Sequence, residues 1–493
     1  MTFRLLPEDE EYRSKLREKV ATTIFVPSSP IRLRDQLRGR EKAFARTIET
    51  LNVPGRSAFI YGERGVGKSS LALTAAYQFN SSDQEPIRVV CHPTITFGRL
   101  VGQIAKRMHD QLGDGKKPKK TTELGLKTSL VTLLHKIESS TEPPPSTIDV
   151  NDAVDLLEGL LPKRPNVQRV VVIDELDATP DPTFRSDIAY FIKQLGDRQA
   201  RLRFIFAGIG TNISELLVHH ESAQRCMATI QLERLGLNVL RDIVVEGFRQ
   251  IDMTVNDNIA YRITSMSDGF AHFTHLIALK MALSALDEEA LPENVNNSTL
   301  LEEAIGAAVA DSEAIVKEAY DRAVQKYASY EPVLWAVADH WELFRSTREI
   351  FNSYQRICEE LRRKGEHVEE VDKSKLTRML YNLRQRPHGE ALVSNRKSWF
   401  KIRVSMLRGY CRMVAGSKGI DVGLDYQQSE RPRAAMSSVP SAPRVSDGDD
   451  DNDDEIESDD DGFGSSVEEL APDGEDGVEH EEPTEHSART TKG

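Results

Sequence analysis

The chain has 493 residues, 39% of them hydrophobic and 29% charged, which suits about three globular units. No apolar run approaches the ~18 residues a membrane helix needs. Met1 to Glu11 is charged from the start and shows no signal-peptide core. The four cysteines, Cys91, Cys226, Cys358 and Cys411, form no C-x-x-C pair and argue against a zinc site or a disulfide framework; the expectation is a reducing, cytoplasmic compartment. The net charge of −14 hides an asymmetry. From Asp447 onward there are 20 acidic residues against Arg489 and Lys492, a net of −18, which leaves 62 basic and 58 acidic residues in 1–446, a net of +4. A mildly basic body with an acidic tail points to nucleic acid or an acidic interaction segment.

Residues 8–21 read as a short charged helix inside an N-terminal segment, 1–24. The next unit, 25–236, opens with a turn at Phe25-Val26-Pro27, and Gly39-Arg40-Glu41 leads into helical spacing through Leu51. The apolar run Ser57 to Tyr61 predicts a strand, and Ser70 to Phe79 predicts a helix. Between them lies Gly62-Glu63-Arg64-Gly65-Val66-Gly67-Lys68-Ser69, with Ser70 next. Ile87 to Cys91 is expected as a strand and Phe97 to Leu112 as an amphipathic helix. Residues 113–148 read as an insertion with a lysine-rich loop, a Pro143-Pro144-Pro145 run and one helix, Ser129 to Ile137. Val170-Val171-Val172-Ile173 is a strand buried on both faces, ending in Asp174-Glu175. A helix over Phe184 to Leu195, a strand over Leu202 to Ala207 and a strand over Thr229 to Leu232 complete an alternation that predicts a parallel α/β sheet.

The loop has the spacing G-x-x-x-x-G-K-S of the Walker A, or P-loop, motif. Its glycines let backbone N–H groups converge on a phosphate at a helix N-terminus. Lys68 reaches the outer phosphates and Ser69 takes the magnesium ion. About 105 residues later, Asp174 is placed to hold that metal and Glu175 to orient or deprotonate the attacking water. The expected ligands are ATP and Mg2+, bound by Gly62 through Ser70.

This order of pieces resembles the AAA+ class of P-loop ATPases and its STAND relatives, and the P-loop wording is similar to the replication-initiator-like (ORC/Cdc-type) branch. The resemblance implies further roles. Arg40, in G-R-E, would pack near the adenine. Asn212, or Thr211, would be the polar sensor after the fourth strand; the same residues would also serve as a helix N-cap. Arg225, before the fifth strand, would be an arginine finger reaching the γ-phosphate of a neighbouring subunit, which implies a homo-oligomer. In the all-helical lid, 237–328, Gly269-Phe270-Ala271-His272 places His272 where the class has a second-sensor arginine, so slow turnover is expected.

Residues 329–414 read as three helices and two strands, Leu392-Val393 and Trp399 to Ile402, a pattern that resembles a winged helix. From Lys373 to Arg408 there are ten Lys+Arg and one acid, Glu390. Lys373, Lys375, Arg378, Arg384 and Arg386 on or beside the third helix, and Arg396 and Lys397 in the wing, are the expected contacts to double-stranded DNA. Residues 427–493 cannot bury enough apolar surface to fold alone. They read as a solubilising tail; a sharper alternative has the tail mimic phosphate and cover the basic surface. The function expected is an ATP-hydrolysing switch that assembles on DNA or loads partners onto it. The alternatives are a STAND-like signalling ATPase, for example in antiviral defence, gating a separate effector, and a nucleotide-binding scaffold with little turnover.

Overall fold

A computed structural model describes residues 7–80, 85–111, 148–161, 169–209, 221–325 and 327–424, all within one compact unit. The helix expected at Ser129 to Ile137, the lysine-rich loop, Thr211, Asn212 and the acidic tail lie outside the described residues. Among the described residues, no helix is long and apolar enough to cross a membrane.

The chain begins with helix α1 (Pro7–Lys19) and one turn over Val20–Ile24, and then α2 (Glu41–Asn52) precedes the sheet. The α/β core is β1 (Ser57–Gly62), α3 (Lys68–Phe79), β2 (Ile87–Val90), α4 (Phe97–Asp110), α5 (Val150–Gly159), β3 (Arg169–Asp174), α6 (Pro182–Asp197), β4 (Leu202–Gly208), α7 (Glu221–Arg225) and β5 (Met227–Leu232). The five strands are all parallel, in the order β2-β3-β4-β1-β5. The fifth strand starts two residues earlier than its β-branched run suggests, because Met227 already pairs with Ser57. Burial on both faces explains the near-continuous apolar strands. Ala58, Ile60, Val170, Val172 and Ile205 face one core with α3, while Phe59, Val171, Ile173, Phe204 and Phe206 face the other. In that second core Phe97, Phe191, Phe204 and Phe206 form a chain of rings 5.1–5.9 Å apart, favourable aromatic spacings.

Four helices follow: α8 (Leu237–Arg249), α9 (Asp257–Met266), α10 (Ala271–Asp287) and α11 (Ser298–Asp311). Helix α1 is strapped to the far end of α10. Arg13, buried, donates to the carbonyls of Leu286 at 3.0 Å and Glu289 at 2.9 Å. A guanidinium there satisfies orphan carbonyls and complements the negative end of the helix dipole. Phe25 then inserts beside Phe248, ring centres 5.3 Å apart.

The last described part is α12 (Ala314–Val324), α13 (Tyr330–Ala338), β6 (Arg345–Ser346), α14 (Thr347–Arg363), α15 (Lys373–Asn382), β7 (Leu392–Val393), β8 (Trp399–Ile402) and α16 (Ser405–Ser417). Strands β7 and β8 pair antiparallel, Leu392 opposite Ile402, and β6 adds to the other edge of β8. Helix α14 starts at a capping box, Ser346 with Glu349. Its strong one-sided pattern buries Ile350, Tyr354, Ile357 and Leu361. Helix α16 is different: Met406 to Gly416 is buried throughout, wedged among α9, α11 and α13.

Candidate nucleotide-binding site

The P-loop joins the end of β1 to the start of α3, at the carboxyl edge of the parallel sheet, where open α/β sheets bind ligands. Two glycines are dictated by geometry. Gly67 caps α3 with φ of 94°, a left-handed backbone that side chains resist. A Cβ on Gly62 would lie 2.3 Å from the carbonyl oxygen of Leu232. Beside the loop is a cavity of about 520 Å³ lined by Arg64, Gly65, Gly67, Lys68, Ser69 and Ser70, with Asp174, Glu175 and Asp177 opposite. Its other wall is the strand-like stretch Val26 to Ile31, fixed to α3 because Ile31 N–H donates to Ser70 Oγ (3.2 Å) and Thr74 Oγ1 donates to the Ile31 carbonyl (3.0 Å). His272 and His275 from the start of α10, Glu313, and Met406 of α16 close it.

The ammonium of Lys68 donates to the carbonyls of Gly62 (3.1 Å) and Glu63 (2.8 Å). Burial lowers its pKa, and Asp177 and Asp174 push back. Its two hydrogen bonds to the loop carbonyls hold it along the loop. Asp177, which the motif reading missed, does two things: it faces Lys68 electrostatically, and its Oδ1 accepts from the N–H of Ile209 at the end of β4. The third acid of Asp174-Glu175-Leu176-Asp177 was the available signal. Glu175 is exposed to the cavity with φ of 54°, an uncommon conformation for a side-chain-bearing residue and a form of strain typical of functional sites. Cys91 N–H donates to the Asp174 carbonyl. The Cys91 thiol, pushed up to about 12 by burial and the nearby carboxylates, is protonated and inert.

Several expected residues have other places. Arg40 does not line the cavity. It lies behind the P-loop and donates to the carbonyls of Val66 (2.8 Å) and Glu233 (2.6 Å), tying the loop to the segment after β5; burial lowers its pKa to about 10. These two bonds hold the shape of the loop. Gly62, Glu63 and Val66 also stand outside the cavity lining: Val66 is buried in the core, and Glu63 pairs with Arg234 at 2.7 Å. Arg64 pairs with Glu313 at 3.4 Å. Arg225 is exposed at the amino end of β5, the opposite edge of the sheet from the P-loop. It cannot serve its own site. Asn212 lies outside the described residues.

His272 lines the cavity as expected. Its Nδ1 is 2.9 Å from the Pro27 carbonyl, which can only accept, so Nδ1 carries the proton. In the neutral ring Nε2 is then an acceptor, and it is buried with no partner among the described residues. His275, buried, has no partner at either nitrogen among the described residues, and burial holds its pKa down at about 4.

The P-loop is also wired to the C-terminal helices. Arg234 joins Glu63 to Asp268 (2.6 Å), and Asp268, buried, joins Arg408 (2.8 Å) and Arg412 (3.3 Å) of α16. A Cβ on Gly65 would meet the sulfur of Met406 at 3.1 Å. None of Arg234, Asp268 and Arg412 announced itself in the sequence.

A glycine loop with a buried lysine, a serine hydroxyl at a helix start and two carboxylates across a cavity define a P-loop nucleotide site. These residues fit a nucleoside triphosphate with Mg2+: the hydroxyl and carboxylate oxygens are hard donors, and the unpartnered imidazoles offer polar contacts at the other end. Residues 36–205 match the AAA ATPase domain family, a match that supports ATP binding and ATPase activity in this part of the chain. Solved structures are similar in fold at low identity. A Walker-type ATPase of Pyrococcus abyssi is 16% identical, covering 79% of this chain and 100% of its own, with a TM-score of 0.46. The Aeropyrum pernix ORC1 protein in complex with DNA is 15% identical, covering 80% and 95%, at 0.38. Cdc6p from Pyrobaculum aerophilum is 14% identical, covering 80% and 98%, at 0.40. No curated protein matches the chain.

Proposed function

We propose that the protein is an ATP-driven switch that assembles on double-stranded DNA or loads partners onto it. The observation that carries this reading is a basic surface joined through α16 to the P-loop. Lys373, Lys375, Arg378 and Arg386 are exposed on or just after α15, and Arg384 lies over the Tyr381 ring. Arg396 and Lys397 are exposed in the β7–β8 turn, with Arg396 3.7 Å over the Trp399 ring. A helix beside a β-hairpin wing, both basic, suits a winged helix with α15 in the major groove and the wing on the backbone. Not all ten basic residues of this stretch are unpaired: Arg403 pairs with Glu390 at 2.9 Å, Lys375 stands 3.6 Å from Glu369, and Arg408 is buried on Asp268. The surface stays cationic without them.

In the nucleotide site Lys68 binds the outer phosphates, Ser69 and Asp174 hold the metal, and Glu175 positions the attacking water. Magnesium supplies neutralisation of phosphate charge. With His272 at the mouth and, among the described residues, no arginine of 237–328 lining the cavity, turnover is slow. Arg225, exposed and remote from its own P-loop, completes the site of a neighbouring copy.

The test is ATP hydrolysis with and without duplex DNA. DNA stimulation supports the reading, and turnover that DNA leaves unchanged, with no DNA binding at low salt, contradicts it. A second reading, a signalling ATPase gating a separate effector, draws on the same P-loop-to-α16 linkage and predicts nucleotide binding without DNA binding.

A further inference from the structure

Asp174 already has a cationic partner. It is 2% exposed, and its Oδ2 accepts from Arg88 Nη2 at 2.7 Å and from Arg88 Nε at 3.2 Å, while Oδ1 accepts from the N–H of Glu175 at 3.0 Å. The β2–β3 register brings the two together. Asp174 lies opposite Val90, and Arg88, two residues back, points to the same face of the strand. Arg88 also lines a second cavity of about 650 Å³, whose lining includes two acids, Glu85 and Asp110, and two further arginines, Arg32 and Arg107. Ser28, Ser29 and Pro30 line both cavities and form the wall between them.

A guanidinium and a divalent metal make competing claims on one carboxylate oxygen. Magnesium demands near-octahedral oxygen ligands at about 2.0–2.1 Å. Two charge-assisted hydrogen bonds occupy the lone pairs of Oδ2, and the arginine charge repels the metal. We propose that Arg88 is a positioning residue that gates magnesium at the nucleotide site. Seated on Asp174 it neutralises a buried carboxylate and keeps Oδ2 from the metal. Turned into the second cavity, toward Glu85 and Asp110, it releases Oδ2. An uncompensated buried carboxylate is costly, so the arginine leaves only as the metal arrives, and metal capture becomes a switching step. The inference rests on the nucleotide reading of the first cavity.

The experiment titrates Mg2+ into the full chain with a fluorescent ATP analogue at fixed concentration and reads the magnesium midpoint of binding, beside the melting temperature without metal. For Arg88→Gln the midpoint falls on the order of ten-fold, the scale of effect expected of a group that bonds a metal ligand. Its metal-free melting temperature also falls and recovers with Mg2+ and nucleotide. Arg88→Lys keeps the charge but loses the fork, and its midpoint falls by less. A midpoint unchanged or raised in Arg88→Gln overturns the gate, because Arg88 would then be indifferent to the metal or would help it bind. If Arg88→Gln does not fold, Arg88→Lys decides by the same criterion. Failure of the wild-type chain to bind the analogue at any Mg2+ concentration overturns the nucleotide reading itself, an outcome distinct from a shifted midpoint.

Discussion

Lys68 and Glu175 carry separable parts of the proposed chemistry. Lys68→Ala removes the cation held by the Gly62 and Glu63 carbonyls and should abolish detectable ATP binding and turnover. Glu175→Gln keeps the shape of the cavity and should bind ATP while hydrolysis falls by on the order of 10²-fold or more; single-turnover measurements beside equilibrium binding separate the two. His275 makes a prediction about pH. Its pKa is depressed to about 4 in the folded chain by burial and by neighbouring His272, against 6.5 unfolded. Above pH 6.5 both states are neutral and the group contributes nothing to the pH dependence. As pH falls from 6.5 toward 4 the unfolded chain takes up a proton that the folded chain refuses, so stability drops, by on the order of 3 kcal/mol at the lower end. His275→Leu should remove that slope, read as the wild-type-minus-variant difference in melting temperature between pH 7 and about pH 4.5; equal slopes would refute the assignment.

Elements were legible in the sequence to the extent that their reasons are local. The central strands β3 and β4, and most of β1, are buried on both faces and so read as apolar runs, and the Walker residues follow from spacing plus the strand–loop–helix context. Helix α16 was not read from the sequence: Met406, Leu407, Tyr410, Cys411, Met413 and Val414 do recur at helical spacing, but the burial of Arg408 and Arg412 on its other side is settled by Asp268, which the local sequence does not show. The partners of Arg40, Arg88 and Arg234 were hidden likewise: each is settled by strands or loops meeting from distant parts of the chain. The Arg234–Asp268–Arg408–Arg412 cluster is the clearest case, a single buried carboxylate shared by three guanidiniums. Removing one member of such a cluster leaves unpaired buried charge, so Asp268→Ala should cost about 3–5 kcal/mol, seen as a lower urea midpoint. It should also loosen α16 from the P-loop, seen as faster amide exchange in 405–417.

At the scale of the described unit, the P-loop cavity, helices α8–α11 and the basic surface of α15 and the β7–β8 turn lie on a continuous set of contacts. Helix α16 is the piece common to all three: Met406 meets the P-loop, Arg408 and Arg412 pair with Asp268 just before α10, and the helix follows two residues after β8. A ligand biases such an arrangement only as far as it favours one state over the other, so the account requires ATP and DNA to change each other's affinity. Phosphate contacts from the exposed lysines and arginines also require binding to weaken steeply with salt. Lys373→Glu together with Arg378→Glu should reduce duplex affinity at least ten-fold at low salt, on the scale of losing two phosphate contacts and adding repulsion, and leave ATP binding unchanged. The most direct measurement is duplex-DNA affinity of the Glu175→Gln chain with and without ATP and Mg2+ at several salt concentrations. The account predicts salt-sensitive binding whose affinity changes with nucleotide; no binding at low salt, or one affinity regardless of nucleotide, would contradict it.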